Sequence, residues 1–156
     1  MITDIYFYIK KFVSAKMIVE GHSMWPLIRS HDFVYVEPFR FFVKGPRVGD
    51  IVVIIEPTCI HIKAIKRIIA GPYDEILLED GDTFVNQKRI AHDIAGFFGD
   101  VSKKNWILAD QEYFLIGDNP GLSIDSRHYG PVLRENIINR VWMISSPVNG
   151  IKRLDY

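Results

Sequence analysis

The chain has 156 residues, with 19 Lys and Arg balanced by 19 Asp and Glu, so its formal net charge is zero. That length is typical of one domain spanning residues 1–156 and buries roughly two thirds of the unfolded surface, so no metal or other cofactor is needed to hold a core. Zero net charge argues against a nucleic-acid partner, because neutralising phosphates takes a surplus of Lys and Arg. A single cysteine, Cys59, excludes an intrachain disulfide and a multi-thiolate zinc site.

Residues 1–18 form an amphipathic N-terminal segment, for which we predict a short helix. The helical spacing places six apolar residues on one stripe, which are Ile2, Ile5, Tyr6, Ile9, Phe12 and Val13. No apolar run reaches the ~18 residues of a transmembrane helix, and lysines interrupt the pattern of a signal peptide. The stripe therefore packs on its own domain or lies on a membrane surface.

The rest of the chain has mainly the signals of β-strands. β-branched and aromatic runs between turn residues predict strands at 33–36, 51–55, 60–69, 113–116 and 137–144. Asp80-Gly81 and Asn86-Gln87 are turn dipeptides between short apolar runs. We expect a mainly β domain of antiparallel strands, with residues 71–112 as a variable, loop-rich insertion.

Lys66 has an unusual position in the predicted strand 60–69. Side chains alternate between the two faces of a strand, so Lys66 is the only charge on the face of Ile60, Ile62, Ala64 and Ile68. Apolar surroundings favour the neutral amine, which can act as a general base for a serine. The alternative is a structural lysine that extends its head to water along its apolar stem.

Ser23, in Gly21-His-Ser-Met-Trp-Pro26, is a candidate nucleophile, although the segment alone is also compatible with a plain turn. Histidine offers a rival base. His22 adjoins the serine but points away from it in an extended chain, whereas His128 near Asp125 suggests a conventional triad. Cys59 beside His61 suggests a reactive pair or a metal site, for which a buried inert cysteine is the default alternative.

A third cluster, residues 117–130, leaves a predicted strand through a tight turn. It carries Asp118, Asp125 and Arg127, which can pair internally, and the hydroxyls of Ser123 and Ser126. It lacks the alternating ligands and terminal Glu of an EF-hand, so calcium is not expected.

Together these segments resemble the type I signal peptidases, a family of Ser/Lys proteases. Four motifs occur in the family's order along about residues 19–147: Gly21-His-Ser-Met-Trp-Pro-Leu27, Val48-Gly-Asp-Ile-Val-Val53, Lys66-Arg-Ile-Ile-Ala-Gly-Pro-Tyr-Asp74, and the cluster from Gly117-Asp-Asn to Gly130. One motif alone would be weak evidence, but four in order are specific. The resemblance implies a largely antiparallel β-sheet or partly open barrel with a variable insertion.

The resemblance also implies roles for individual residues. Ser23 would be the nucleophile, its backbone N–H an oxyanion-hole donor, and Lys66 the general base, oriented by Ser123. Four charged residues would brace the site, namely Arg67, Asp118, Asp125 and Arg127. Met24 and Pro26 would border the substrate groove. No metal or other cofactor is implied.

The sequence departs from the family pattern at several positions. Gly21 replaces a serine whose hydroxyl adds a second oxyanion donor in some members. Leu27-Ile28 replaces Thr-Leu, and Tyr73 replaces a glycine in the turn after the lysine. A transmembrane anchor is expected ahead of the nucleophile, and none is predicted in this sequence.

The implied function is a serine endopeptidase that removes leader peptides from precursor proteins after small residues of the Ala-X-Ala type, through an acyl-enzyme. The implied location is a membrane, on its extracytoplasmic face, reached through residues 2–13 or an anchoring partner. Alternatives are a maturation protease for one precursor, a self-cleaving regulator, and a non-catalytic module that binds extended peptides at a sheet edge.

Overall fold

A computed structural model describes residues 14–37, 45–90 and 103–154, and the fold is given for these ranges. In chain order the strands are β1 (Ala15–Ile18), β2 (Phe33–Glu37), β3 (Ile51–Glu56), β4 (Cys59–Ala70), β5 (Glu75–Glu79), β6 (Asp82–Val85), β7 (Lys88–Arg89), β8 (Lys104–Ile107), β9 (Glu112–Ile116), β10 (Val132–Leu133), β11 (Ile137–Ser146) and β12 (Gly150–Arg153). A one-turn helix, α1 (Ser126–Tyr129), and two 3₁₀ turns, Pro120–Leu122 and Arg134–Asn136, lie in the connections.

The main sheet has eight antiparallel strands in the order β1-β2-β11-β3-β4-β9-β10, with β12 added to β11. Its end strands β1 and β10 do not pair with each other, so the sheet stays open. The prediction of a mainly antiparallel β fold is therefore confirmed. The five predicted strands correspond to β2, β3, β4, β9 and β11, because each carries a long β-branched or aromatic run.

The insertion contains more regular structure than the sequence suggested. Strands β5 to β8 form a second antiparallel sheet in the order β7-β6-β5-β8. Asp80 and Gly81 have φ of 51° and 82°, and Asn86 and Gln87 have φ of 50° and 65°, the left-handed pairs of tight hairpins. Buried residues of β5 share a core with β9, so this sheet packs beside the main one; the shared cluster is Ile69, Ala70, Ile76, Leu108, Phe114 and Ile116.

The N-terminal helical stripe at residues 2–13 lies outside the described residues. Ala15–Ile18, at the end of the amphipathic segment, form β1 and pair with β2 from Val36 to Phe33. Within the described ranges no helix has both the length and the apolar character needed to cross a lipid bilayer.

The two faces of β3 contact different apolar clusters. The Met24 cluster contains Val19, Met24, Ile28, Val34, Val36, Ile51, Val53, Val141 and Ile144. The Val52 cluster, on the opposite face, contains Val52, Ile54, Ile68, Tyr113, Leu115, Val132 and Ile137. Alternation along β3 thus fixes which residues of its neighbour β4 reach each cluster.

Candidate active site

Lys66 is buried in the middle of β4. It lies opposite Val52 of β3, between the apolar residues Ala64 and Ile68 of its own face, and is only 4% exposed. Lys63, on the other face, is exposed. Strand alternation therefore separates the two lysines as the sequence indicated.

Burial lowers the pKa of Lys66 below its ordinary value, because the low-dielectric surroundings disfavour the ammonium. Asp125 and Glu56 act in the opposite direction through their negative charges, and Arg127 adds to the lowering. No described residue accepts or donates a hydrogen bond at Lys66 Nζ. The amine is thus held by packing, in an environment that increases its neutral fraction.

Ser23 occupies a turn between β1 and β2. Gly21, two residues earlier, has φ of +89°, a conformation that favours glycine, and Trp25 N–H donates to the His22 carbonyl at 3.1 Å. Met24, directly after the serine, is 2% exposed and packs in the Met24 cluster. The buried methionine anchors the turn and leaves Ser23 partly exposed.

Asn119 joins the serine turn to the loop that follows β9. Its backbone N–H donates to the Ser23 carbonyl at 2.9 Å, and its Nδ2 donates to the His22 carbonyl at 3.0 Å. The preceding residue, Asp118, forms a bidentate pair with Arg67, with N···O distances of 2.8 and 2.7 Å. Since Arg67 follows Lys66 in β4, one short chain of contacts fixes the serine turn relative to the lysine strand.

Gly117 lies at the closest approach of the two segments. A Cβ on this residue would be 2.5 Å from the Ser23 carbonyl oxygen and would also overlap Ser123 Oγ. Ser23 and Ser123 are therefore both adjacent to the same backbone position. A side chain at residue 117 would push them apart.

Asp125 organises the loop beneath these residues. Its carboxylate accepts from Ser123 Oγ at 2.7 Å, from the Gly117 N–H at 2.9 Å, and from Arg127 Nε and Nη2 at 2.8 and 2.6 Å. Burial alone would raise the pKa of Asp125, but the Arg127 guanidinium and these hydrogen bonds hold it below its ordinary value. The ionised carboxylate thus orients Ser123, whose hydroxyl proton is committed to Asp125.

A cleft of about 360 Å³ runs beside Ser23. One wall consists of residues 17–21, Ser23 and Met24, and the other of Val53 and residues 62–65. Met24, expected at the substrate groove, lines this cleft. Pro26 does not, because it lines a separate cavity with Leu27 and the β11–β12 hairpin.

The histidine alternatives have other surroundings. His128 Nδ1 accepts from the Asp125 backbone N–H at 3.3 Å as part of the cap of α1, while Asp125 is occupied by Arg127. His22 is exposed, and His61 is exposed beside Lys63 on the face opposite Lys66. Cys59 is a free, partly buried thiol at the start of β4.

Three positions gained importance only in the structure. Gly117 and Asn119 belong to the motif Gly117-Asp-Asn, but their contacts with Ser23 cross almost a hundred residues of sequence and cannot be inferred from spacing. Glu56, at the end of β3, raises the pKa of the lysine through its negative charge, an effect that the sequence motifs did not indicate. The remaining predicted residues Arg67, Asp118, Ser123, Asp125 and Arg127 lie in one connected group.

A mainly antiparallel β domain with a serine turn at a cleft, and a buried lysine on the strand that forms the other wall, fits a peptidase. The family described as signal peptidase, peptidase S26, matches residues 1–145. The chain therefore belongs to the signal peptidase family, a family of serine endopeptidases.

Individual relatives agree with this assignment. The chain is 31% identical over 150 residues to a probable signal peptidase I-2 of Synechocystis sp., a match that covers 90% of this chain and 66% of that protein. It is 31% identical over 144 residues to signal peptidase I V of Bacillus subtilis, covering 83% of this chain and 84% of that protein. A crystal structure of a signal peptidase I from Enterococcus faecalis shares the fold, with a TM-score of 0.50 at 20% identity, covering 63% of this chain and 97% of that one.

Proposed function

We propose that this chain is a serine endopeptidase with a Ser23/Lys66 dyad that removes N-terminal leader peptides from precursor proteins after small residues of the Ala-X-Ala type. The observation that carries the proposal is the buried Lys66, whose pKa is lowered by desolvation, in a strand tied to the Ser23 turn through Arg67, Asp118 and Asn119. Arrangements that depress the pKa of a buried lysine are characteristic of catalytic sites.

In the proposed reaction the neutral amine of Lys66 takes the proton of Ser23 as Oγ attacks the scissile carbonyl. The lysine then gives this proton to the leaving amine, and a water activated by Lys66 hydrolyses the acyl-enzyme. Ser123 supports Lys66 as an acceptor, because its own proton is donated to Asp125. No described residue accepts from the Ser23 backbone N–H, so that group is available to the oxyanion.

The cleft fits an extended peptide. The outer edge of β1 has no partner strand among the described residues, and β4 pairs with β9 only from Arg67 to Ala70, which leaves the edge beside residues 62–65 open. A peptide can add to these edges through backbone hydrogen bonds. The side chains of Ala64, Val53 and Met24 line the cleft, and such apolar walls exclude bulky residues by steric clash.

The direct test incubates the purified protein with a precursor peptide carrying an Ala-X-Ala site and maps the cut by mass spectrometry. We expect Ser23→Ala and Lys66→Ala to abolish cleavage, because each removes a reacting group. Lys63→Ala is the matched control, since it removes an exposed lysine three residues away on the other face of β4; because residue 63 lines the cleft, it should alter KM at most and retain kcat. Full cleavage by Lys66→Ala would refute the dyad.

The main competing function is a non-catalytic module that binds leader peptides in the same cleft. The observation in its favour is Gly21, which offers no side-chain donor to an oxyanion. An acylating, serine-reactive probe separates the two: labelling of Ser23 that depends on Lys66 supports the peptidase. Peptide binding without turnover or labelling supports the module.

We also propose that the protein acts at a membrane, on its extracytoplasmic face, where leader peptides are exposed after translocation. Membrane association is general in the family, and residues 2–13 or an anchoring partner would supply it. Fractionation of cells that produce the protein, followed by protease treatment of intact cells, tests the location. Recovery in the cytosolic fraction would contradict it.

A further inference from the structure

Tyr129 has a buried hydroxyl for which the described residues supply no partner. The residue ends α1, its ring packs against the Val52 cluster, and Oη is shielded from solvent without a hydrogen bond to any described residue. Leaving a buried hydroxyl unpaired is unfavourable. The phenol is therefore expected to have a partner in some state of the protein.

Tyr129 lies on the same side of the sheet as Lys66. The Tyr129 ring packs against the Val52 cluster, which includes Ile54 and has Ala64 packed against it. In the β3–β4 pair, Val52 lies opposite Lys66 and Ile54 lies opposite Ala64. The cluster therefore lies on the face of β4 that carries Lys66. Tyr129 and Lys66 are acted on by the same two carboxylates, Asp125 and Glu56. These shared charges agree with the placement of both groups on one side of the sheet.

The hydroxyl of Tyr129 stays neutral throughout the working pH range. Burial raises the pKa of Tyr129 above its ordinary value, and the negative charges of Asp125 and Glu56 raise it further. A neutral phenol can accept a hydrogen bond from an ammonium group. The charged groups that act electrostatically on Lys66 are Asp125 and Arg127 from the loop and α1, and Glu56 from the end of β3.

During the proposed reaction Lys66 gains an N–H group, which needs a hydrogen-bond acceptor. When the amine takes the proton of Ser23, it becomes an ammonium with three N–H groups in a site where no described residue bonds to Nζ. One N–H points to the leaving amine of the substrate, and a second can donate a hydrogen bond to Ser123 Oγ. The third needs a further acceptor, because an unpaired ammonium N–H in a low-dielectric site is costly.

We propose that Tyr129 is a positioning residue for Lys66, whose hydroxyl accepts a hydrogen bond from the Lys66 ammonium, directly or through one water, after the proton transfer from Ser23. No covalent bond changes in this step; the transferred proton stays on Lys66 until the leaving amine takes it. The proposal rests on the Ser23/Lys66 function above. Tyr129 transfers no proton and does not contact the substrate; it acts only through Lys66 and is therefore called a positioning residue.

The test is Tyr129→Phe, which removes only the hydroxyl. Losing one hydrogen bond to a charged group should lower kcat about tenfold and leave KM unchanged, because substrate is not contacted. Since the ammonium loses a stabilising partner, the pKa of Lys66 should fall. The ascending limb of the plot of kcat against pH should therefore move to lower pH. Tyr113→Phe is the matched control, because Tyr113 is a buried tyrosine of the same cluster whose hydroxyl is not among the buried unpaired groups.

A direct NMR titration of Lys66, with labelled lysine and Lys66→Ala for assignment, makes the result independent of activity. A lowered Lys66 titration in Tyr129→Phe, but not in Tyr113→Phe, supports the proposal. An unchanged kcat and an unchanged titration in a folded Tyr129→Phe protein overturn it. If the wild-type protein cleaves no leader peptide, the proposed function fails, and the titration alone still decides whether Tyr129 contacts the lysine.

Discussion

The backbone of Ser23 is in such close contact with Gly117 that a Cβ at residue 117 would lie 2.5 Å from the Ser23 carbonyl oxygen. The obstacle is backbone, which cannot rotate away as a side chain can, and Ser123 blocks the same space. We therefore expect Gly117→Ala to lower the free energy of unfolding by about 1–3 kcal/mol. It should also reduce kcat about a hundredfold, because a displacement near 1 Å of a reacting group can have that effect.

Gly121→Ala is the control for this prediction. Gly121 lies in the same loop, has no heavy atom within 4 Å of its hypothetical Cβ and has no positive φ. Denaturant unfolding and peptide cleavage should be close to wild type. Equal loss of activity in both variants would show that the loop tolerates no change at all, and would contradict the specific role of the Gly117 contact.

Asp125 and Arg127 form a buried ion pair with side chains 0% and 2% exposed. Asp125→Asn leaves the guanidinium buried without its counter-charge, which should lower the free energy of unfolding by about 3–5 kcal/mol. Because the folded pKa of Asp125 is below its ordinary value of 3.8, its ionisation contributes full stability above that pH. This contribution is lost as the pH falls through the folded pKa.

Urea unfolding at several pH values between 2 and 7 tests this prediction. The wild-type protein should lose more stability at acidic pH than Asp125→Asn does. Asp82→Asn provides the comparison, since Asp82 pairs with Arg89 on the exposed second sheet and such pairs contribute little. If the two substitutions cost the same, Asp125 does not organise the loop as described.

The fold could be predicted from the sequence wherever apolar runs are long. Strand β4 shows this well, because its twelve residues give enough alternation to separate Lys66 from Lys63. The short strands β7 and β10 have two residues each and carry no periodic signal. Their existence depends on pairing with β6 and β9, which is tertiary information.

The sequence motifs supplied the residues proposed for the candidate site, but not the connections between them. Ser23, Lys66 and Ser123 could be named from motifs, and strand alternation independently selected Lys66. The contact of Asn119 with the Ser23 carbonyl depends on the fold, as does the separation of Met24 from Pro26 into different cavities. The unpaired hydroxyl of Tyr129 has no sequence signal, because it is defined by what surrounds it.

Glu56, at the end of β3, raises the pKa of Lys66 through its negative charge. Glu56→Gln removes that charge, so the ammonium loses stabilisation and the pKa of Lys66 falls further. Since the base must be neutral, the ascending limb of the kcat/KM profile should move to lower pH. Glu79→Gln, which alters an exposed carboxylate paired with Lys103 on the second sheet, should leave the profile in place; a shift towards higher pH in Glu56→Gln would reverse the assigned sign.

The buried Lys66 is also expected to lower the free energy of unfolding relative to a protein with an apolar side chain at this position. Burial lowers the pKa of Lys66 from 10.5, so below the folded pKa the desolvation of the buried ammonium outweighs its favourable contacts. Lys66→Met keeps an unbranched side chain of similar length among Val52, Ala64 and Ile68. It should abolish cleavage while raising the free energy of unfolding by about 1–2 kcal/mol at neutral pH, as replacements of buried charges by apolar residues do.

The pH dependence separates this effect from ordinary repacking. Between the folded pKa and 10.5 the unfolded chain binds more protons at this lysine, so the stability of the wild-type protein rises with pH and the advantage of Lys66→Met narrows. Lys63→Met changes an exposed lysine of the same strand and should alter stability by less than about 0.5 kcal/mol. A Lys66→Met protein that is less stable than wild type at neutral pH would show that the contacts of the buried ammonium outweigh its desolvation, and would contradict the prediction.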